Sequence, residues 1–267
     1  MNPLAALHDS LLVLPNAWDA LSARLVESAG ARAVATTSAA VAWKYGFPDG
    51  ERLPLDLQLA TISEIARAVR APITCDLERG YSDSPDEVTR VVERAVEAGA
   101  AGVNLEDGGD RALLIAKIRA VKSRLGDRVF VNARTDATTA YLDHARAYED
   151  AGADGFFAIR LSDEATIREV AAGVALPLNV LAQPAISTTK LAAAGARRIS
   201  AGPGIARAAY SAGRAAAQAM LAGEPYAASL TYPETNALFV AVASTLPDGE
   251  AQKIPGTFAA TAQPRRL

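Results

Sequence analysis

The sequence predicts a (β/α)₈ barrel of the TIM type. Short apolar runs alternate with longer amphipathic ones along most of the chain, as expected when buried parallel strands are joined by helical crossovers. The same small-residue stop recurs at Ala29-Gly30-Ala31, Ala98-Gly99-Ala100, Ala151-Gly152-Ala153 and Ala194-Gly195-Ala196. Each reads as a helix C-terminal glycine just ahead of a strand. At 267 residues, half of them apolar, the chain can bury one core of barrel size. An open doubly wound sheet is the competing arrangement of the same pattern.

Leu11–Leu14 is the first strand, followed by a helix from about Asp19 to Ala29. Ala33–Thr37 is the second; a long loop then runs to Arg52, before a helix over about Pro54–Val69. Ile73–Glu78 is the third. Its helix opens near Pro85, where Ser84-Pro85-Asp86-Glu87 supplies an N-cap, an N1 proline and first-turn acids. Gly102–Glu106 leads into a helix over about Asp110–Arg124, and Val129–Ala133 into one around Tyr141–Ala151. Gly155–Ile159 precedes a helix around Glu164–Ala172. Leu178–Leu181 and Arg198–Ala201 are the seventh and eighth strands, separated by a helix near Ser187–Ala194 and followed by an alanine-rich helix over Ile205–Ala222. After about Gly223 the pattern is lost, because Pro225, Pro233, Pro247 and Pro255 break it up. Residues 1–267 are therefore expected to form one barrel domain, with 224–267 as an irregular extension. That extension should carry a short helix near Glu234–Ser244 and a mobile end at Gln263–Leu267.

A formal charge of −3 gives no electrostatic case for nucleic acid or an acidic membrane surface. One cysteine cannot form an intramolecular disulfide, so nothing implies an oxidising compartment. Met1-Asn2-Pro3-Leu4 lacks the basic start of a signal peptide, and no stretch approaches the roughly 18–20 apolar residues of a membrane span. A cytoplasmic protein is expected.

The chemistry concentrates at the predicted strand ends. Side chains alternate along a strand, so Asp76 and Glu78 are expected to share one face while Cys75 and Leu77 share the other. Two like charges in one confined space repel unless a cation sits between them. Asp49, Glu106 and Asp107 fall just past other strand ends, Asp107 also fitting a helix cap before Gly108-Gly109. A hard dication held by few carboxylates, with water and substrate oxygens completing its shell, suits this all-oxygen set better than zinc. The two histidines, His8 near the terminus and His144 in a helix, offer no triad. Cys75, facing away from the acids, reads as a buried structural thiol. Arg134, at the end of the fifth strand, can grip a carboxylate in two places or form a salt bridge to Glu106 or Asp136. Ser200-Ala201-Gly202-Pro203-Gly204 could cradle a phosphate or simply start the last helix.

From about Leu14 to about Ala216 the chain resembles the isocitrate lyase/phosphoenolpyruvate mutase superfamily. The matching stretches are Pro15-Asn16-Ala17-Trp18-Asp19-Ala20-Leu21-Ser22-Ala23-Arg24, Thr36-Thr37-Ser38-Ala39-Ala40 with Gly46-Phe47-Pro48-Asp49, the Asp76 strand, Leu105-Glu106-Asp107, and Asn132-Ala133-Arg134-Thr135-Asp136-Ala137. The resemblance implies a barrel whose eighth helix is swapped onto a neighbouring subunit of a homodimer or homotetramer. It also implies a Mg²⁺ site, with Mn²⁺ as the alternative ion, and a small 2-oxo acid or dicarboxylate as substrate. Asp76 would ligate the metal directly, and Glu78, Asp49 and Glu106 would act through its waters. Arg134 would hold a substrate carboxylate and, with Glu106, belong to the catalytic group. Thr37, Ser38 and Ala39 would bind the substrate's other end.

Two departures matter. The Lys-Cys-Gly-His-type loop of the family's carbon–carbon lyases is missing, since Glu106-Asp107 runs through Gly108-Gly109 straight into a helix. The pair's second acid, usually Asp, is the longer Glu78. Trp43 and Tyr45 in the Trp43–Arg52 loop are candidates to cover the mouth, or to pack beneath that loop. The expectation is a metal-dependent lyase or decarboxylase working through a stabilised enolate. The alternatives are a phosphonopyruvate-type hydrolase or mutase, and a non-catalytic 2-oxo-acid-binding protein.

Overall fold

Proline has no N–H to give to a strand ladder, and Pro15 divides the first strand into β1 (Leu12–Leu14) and β2 (Asn16–Ala17). The further strands are β3 (Val34–Thr36), β4 (Ile73–Asp76), β5 (Ala100–Glu106), β6 (Phe130–Thr135), β7 (Gly155–Ala158), β8 (Leu178–Leu181) and β9 (Arg198–Ser200). All pair in parallel, in the order β1-β9-β8-β7-β6-β5-β4-β3-β2. The two ends of that order are consecutive pieces of chain, so the sheet curls into a nearly closed barrel and the open-sheet alternative falls. The computed structural model describes residues 1–183 and 185–243. Ser244, expected to end the last helix, and Gln263–Leu267, expected to be mobile, lie outside the described residues.

The crossovers are α1 (Ala20–Ser28), α2 (Ser38–Lys44), α3 (Leu55–Ala68), α4 (Pro85–Glu97), α5 (Arg111–Leu125), α6 (Tyr141–Asp150), α7 (Glu164–Gly173) and α8 (Thr188–Ala193), and α9 (Gly204–Leu221) follows the last strand. Caps set their starts: Asp19, Ser84, Asp110, Asp163 and Ser187 each accept from a backbone N–H in the first turn. The repeated glycine stops have φ between 95° and 115°. A Cβ at Gly99 would come within 2.5 Å of the Ala66 Cβ, and one at Gly195 within 2.6 Å of the Ala171 Cβ. Those helix ends therefore need glycine both for backbone conformation and for space.

Contacts divide the chain into Met1–Ala228, which contains the barrel, and a second unit from Ser229 onward. The described helix of the second unit is α10 (Tyr232–Ala243), entered through a capping pair in which Thr231 donates to Glu234 and Glu234 N–H donates back to Thr231 Oγ1.

Two expectations need correction. The segment read as a long loop to Arg52 contains α2, whose residues Ser38–Ala42 are all buried. A short helix buried on every side has no amphipathic period to reveal it. The third strand ends at Asp76, not Glu78, which has φ +52°. Strand alternation therefore does not put Asp76 and Glu78 on one face.

The barrel is apolar outside and mixed within, where Leu12, Leu14, Ala35 and Phe130 form a small apolar cluster with Leu4 beside the polar side chains. Cys75, Val103, Leu105, Val131, Ala133, Val180 and Ile199 join helix residues such as Ile62, Val92, Ile118 and Ile167 in the main core. The alternate positions Thr74, Asn104, Asn132, Asn179, Arg198 and Ser200 are also buried. Asn132 Nδ2 spans the interior to Asn104 Oδ1 at 2.9 Å and Asn179 Oδ1 at 3.1 Å. The lower end is closed by a short 3₁₀ turn, Ala5–Asp9, which buries Leu4 and stacks His8 on Phe130.

Candidate active site

Asp76 ends β4 with its backbone locked on both sides. Its N–H donates to Thr36 Oγ1 at 2.9 Å, and its carbonyl accepts from Gln58 Nε2 at 3.0 Å. The carboxylate is buried, yet its partners are long contacts: Ser38 Oγ at 3.1 Å, Ser38 N–H at 3.4 Å and Glu78 N–H at 3.4 Å. Thr37 is the N-cap of α2, and Thr37, Ser38 and Ala39 are buried along this part of the rim.

Glu78 reaches the site from a left-handed turn. Its Oε2 accepts from Glu51 N–H at 2.8 Å, and Glu51 Oε1 in turn accepts from Tyr81 N–H at 2.7 Å. Glu51, Glu78 and Tyr81 all have positive φ, so three strained non-glycine residues are clasped together. Burial raises the Glu78 pKa to about 7, with the charges of Asp49, Asp76 and Glu51 adding to the rise against the Glu51 N–H. Asp49 itself stands on the exposed loop between α2 and α3.

Glu106 and Arg134 are paired in register at the ends of β5 and β6. Arg134 Nη1 lies 2.6 Å from Glu106 Oε2, an ion contact without hydrogen-bond alignment, while Nη2 donates to Asp136 Oδ1 at 2.9 Å. Both salt bridges foreseen for Arg134 are thus present together. Burial raises the Glu106 pKa to about 8, working against the pull of Arg134 and helped by Asp76, Asp136 and Glu78. Burial opposes the charge of Arg134, but Asp76, Glu106 and Asp136 outweigh it and raise its pKa.

Asp107 does not cap α5; Asp110 does, by accepting from Leu113 N–H at 2.9 Å. Asp107 instead ties two strand ends together. Its N–H donates to Arg134 O, and its carboxylate accepts from Thr135 Oγ1 at 2.6 Å, Tyr148 OH at 2.9 Å and the Gly109 and Asp136 N–H groups. His144 joins the edge of this network, with Nδ1 3.6 Å from Asp107 Oδ2. The β5–α5 connection is only Asp107-Gly108-Gly109-Asp110, and a Cβ at Gly108 would meet the Arg79 side chain at 2.7 Å.

Trp43 is 39% exposed, whereas Tyr45 packs with Val41, Ala42 and Leu53 and accepts from Thr61 Oγ1 at 3.2 Å. The backbone amides of Ala201 and Gly202 are already taken by Asn16 Oδ1, at 2.8 and 2.9 Å, so that glycine turn is filled by the protein itself. Sequence reasoning missed the parts played by Glu51 and Asp107. No local pattern signals either, since Glu51 acts from left-handed backbone and Asp107 ties together two strand ends distant in sequence.

The candidate site is therefore a ring of acids, Asp76, Glu78 and Glu106, with one arginine beside it. Among the described residues no three acid, histidine or cysteine side chains converge into a ready-made metal cage. The donor set fits a hard dication that takes much of its shell from water and substrate oxygens: it is all carboxylate, buried at Asp76 and Glu78 and half-buried at Glu106, and loosely hydrogen-bonded at Asp76. Burial is the main cause of the elevated Glu78 and Glu106 pKa values, and the neighbouring carboxylate charges add to it, as expected where no cation fully offsets them.

A sequence model of the family "Phosphoenolpyruvate phosphomutase" matches residues 4–221. An uncharacterised protein of Mycobacterium tuberculosis is 36% identical over 241 residues, covering 85% of this chain and 92% of that one. The oxaloacetate decarboxylase of Ectopseudomonas mendocina is 29% identical over 154 residues, 51% of this chain and 53% of that one. A solved structure of oxaloacetate acetylhydrolase in complex with the product oxalate superposes with a TM-score of 0.82 at 25% identity, covering 91% of this chain and 94% of that one.

Proposed function

The chain belongs to the phosphoenolpyruvate phosphomutase family, in the isocitrate lyase/phosphoenolpyruvate mutase superfamily of lyases and mutases, and from that premise we propose a Mg²⁺-dependent enzyme that breaks a carbon–carbon bond in a small 2-oxo dicarboxylic acid of the oxaloacetate type. One observation carries this reading: Asp76, Glu106 and Arg134 meet at adjacent strand ends, beside a β5–α5 turn too short to form a lid.

Asp76 would hold the ion directly, with Glu78, Glu106 and Asp49 acting through its waters. Bound there, the ion would serve as a Lewis acid toward the 2-oxo group. Arg134, held between Glu106 and Asp136, grips a substrate carboxylate and stabilises the negative charge that develops as the bond breaks. Thr37, Ser38 and Ala39 receive the other end of the substrate. Glu106 is the group we assign to proton exchange with the product carbon. Water has access to a mouth without a lid, which favours decarboxylation or hydrolysis, with solvent quenching the enolate, over a protected condensation.

We also infer that the protein acts as a homodimer or homotetramer in which α9 packs on a neighbouring subunit. Ala206 is its one buried residue, and Ile205, Tyr210, Met220 and Leu221 are exposed.

The test is incubation of the purified protein and Mg²⁺ with oxaloacetate, reading pyruvate and oxalate against a metal-only background. Turnover is expected, and Arg134→Lys should lower it by on the order of 10²–10³. No product of either kind above background would favour the non-catalytic binding protein.

A further inference from the structure

Arg198 opens β9 and is 1% exposed. Its side chain enters the barrel interior, where Nη2 lies 3.3 Å from both Thr74 Oγ1 and Asn104 Oδ1. Among the described residues, Nε and Nη1 have no hydrogen-bond partner, and no carboxylate forms an ion pair with the guanidinium. A buried, unpaired cation is costly, and an apolar side chain of similar length fills such a space without that cost. Packing alone therefore does not account for an arginine here. The nearest part of the molecule with a use for the charge is the candidate site directly above. Thr74 and Asp76 are two residues apart on β4 and so share a face, and Asp76 is paired in register with Asn104. Asp76 thus stands one layer above the two groups that hold Arg198. Burial lowers the Arg198 pKa to about 9, with the Asp76 charge as the opposing influence, which leaves the guanidinium charged at neutral pH.

We propose that Arg198 is a positioning residue for the candidate site: a fixed internal cation that balances Asp76 from below, loosening the grip on a free dication and tightening that on an anionic 2-oxo acid. This deepens the metal-dependent reading above and rests on it. Two residues along a strand span roughly 7 Å. At that separation, with intermediate screening, a unit charge shifts the binding of a small ion by about tenfold or more.

The experiment is calorimetric titration of wild type and Arg198→Met, first with Mg²⁺ alone and then with oxalate at saturating Mg²⁺. The expected result is a split: the variant binds Mg²⁺ about tenfold more tightly and oxalate about tenfold more weakly. A purely structural arginine predicts that both affinities fall together or that neither moves, and either result overturns the proposal. Should Arg198→Met not fold, the Arg198 Nε–Hε NMR resonance of the wild type is followed instead. It should move on Mg²⁺ addition, and an unmoved resonance in Mg²⁺-bound protein overturns the proposal. Wild type that binds no Mg²⁺ at all overturns the metal reading and this inference with it, whereas equal Mg²⁺ affinity in the two proteins overturns the inference alone.

Discussion

At the residue scale, one titratable group lies far from the acid ring and has its own consequence. His8 is buried in the 3₁₀ turn, with Nδ1 2.8 Å from Leu4 O and Nε2 unpartnered. Burial, with help from the Arg198 charge, lowers its pKa from 6.5 to about 4. Between those values the unfolded chain binds a proton that folded His8 does not, so stability is full above pH 6.5 and falls as pH drops toward 4. The loss should reach up to about 3 kcal/mol. Urea melts of His8→Gln should show a flatter pH dependence in that window than wild type, and parallel curves would contradict the assignment. From the sequence His8 was only a histidine near a terminus; its burial depends on Phe130, which no local pattern couples to it. Asp76, Glu106 and Arg134, by contrast, could be picked out in advance, because charged residues closing apolar strands stand out in the sequence. The clasp of Glu51 on Glu78 and Tyr81 could not, since it depends on left-handed backbone at non-glycine positions.

At the element scale, the site is held by the way strand ends are tied together. Asp107 joins the end of β5 to that of β6, so the spacing of Glu106 and Arg134 depends on it. Asp107→Ala leaves the buried Thr135 and Tyr148 hydroxyls without their acceptor and should cost about 3 kcal/mol. For a chain of this size that lowers Tm by about 10 °C. A scanning-calorimetry shift below about 2 °C would show that the network reorganises freely. The helices were the most legible elements, because caps and glycine stops are short-range signals: Ser84 and Pro85 mark the start of α4, and Gly99 lies just past its end. The buried α2 was illegible for the opposite reason, since the consecutive buried run Ser38–Ala42 leaves no alternation of apolar and polar faces.

At the scale of the whole molecule, the barrel was readable from alternation alone, but its closure was not. Closure depends on Pro15 dividing one strand so that its halves pair with β9 and β3 on opposite edges of the sheet. The exposed Tyr210, Met220 and Leu221 on α9 lead to an assembly prediction. Sedimentation velocity should show a dimer or tetramer that Met220→Glu with Leu221→Glu dissociates, and a monomeric wild type would refute it. Within each copy, no helix among the described residues is long and apolar enough to cross a membrane. In the function proposed above, Asp76, Glu78 and Glu106 become a binding site for an oxygen-rich anion only once a dication is present. Calorimetric titration of oxalate, with and without Mg²⁺, into wild type and Asp76→Ala tests this most directly. Binding to wild type only when Mg²⁺ is present, and none to Asp76→Ala, is the predicted result; oxalate affinity indifferent to Mg²⁺ or to Asp76 would contradict it.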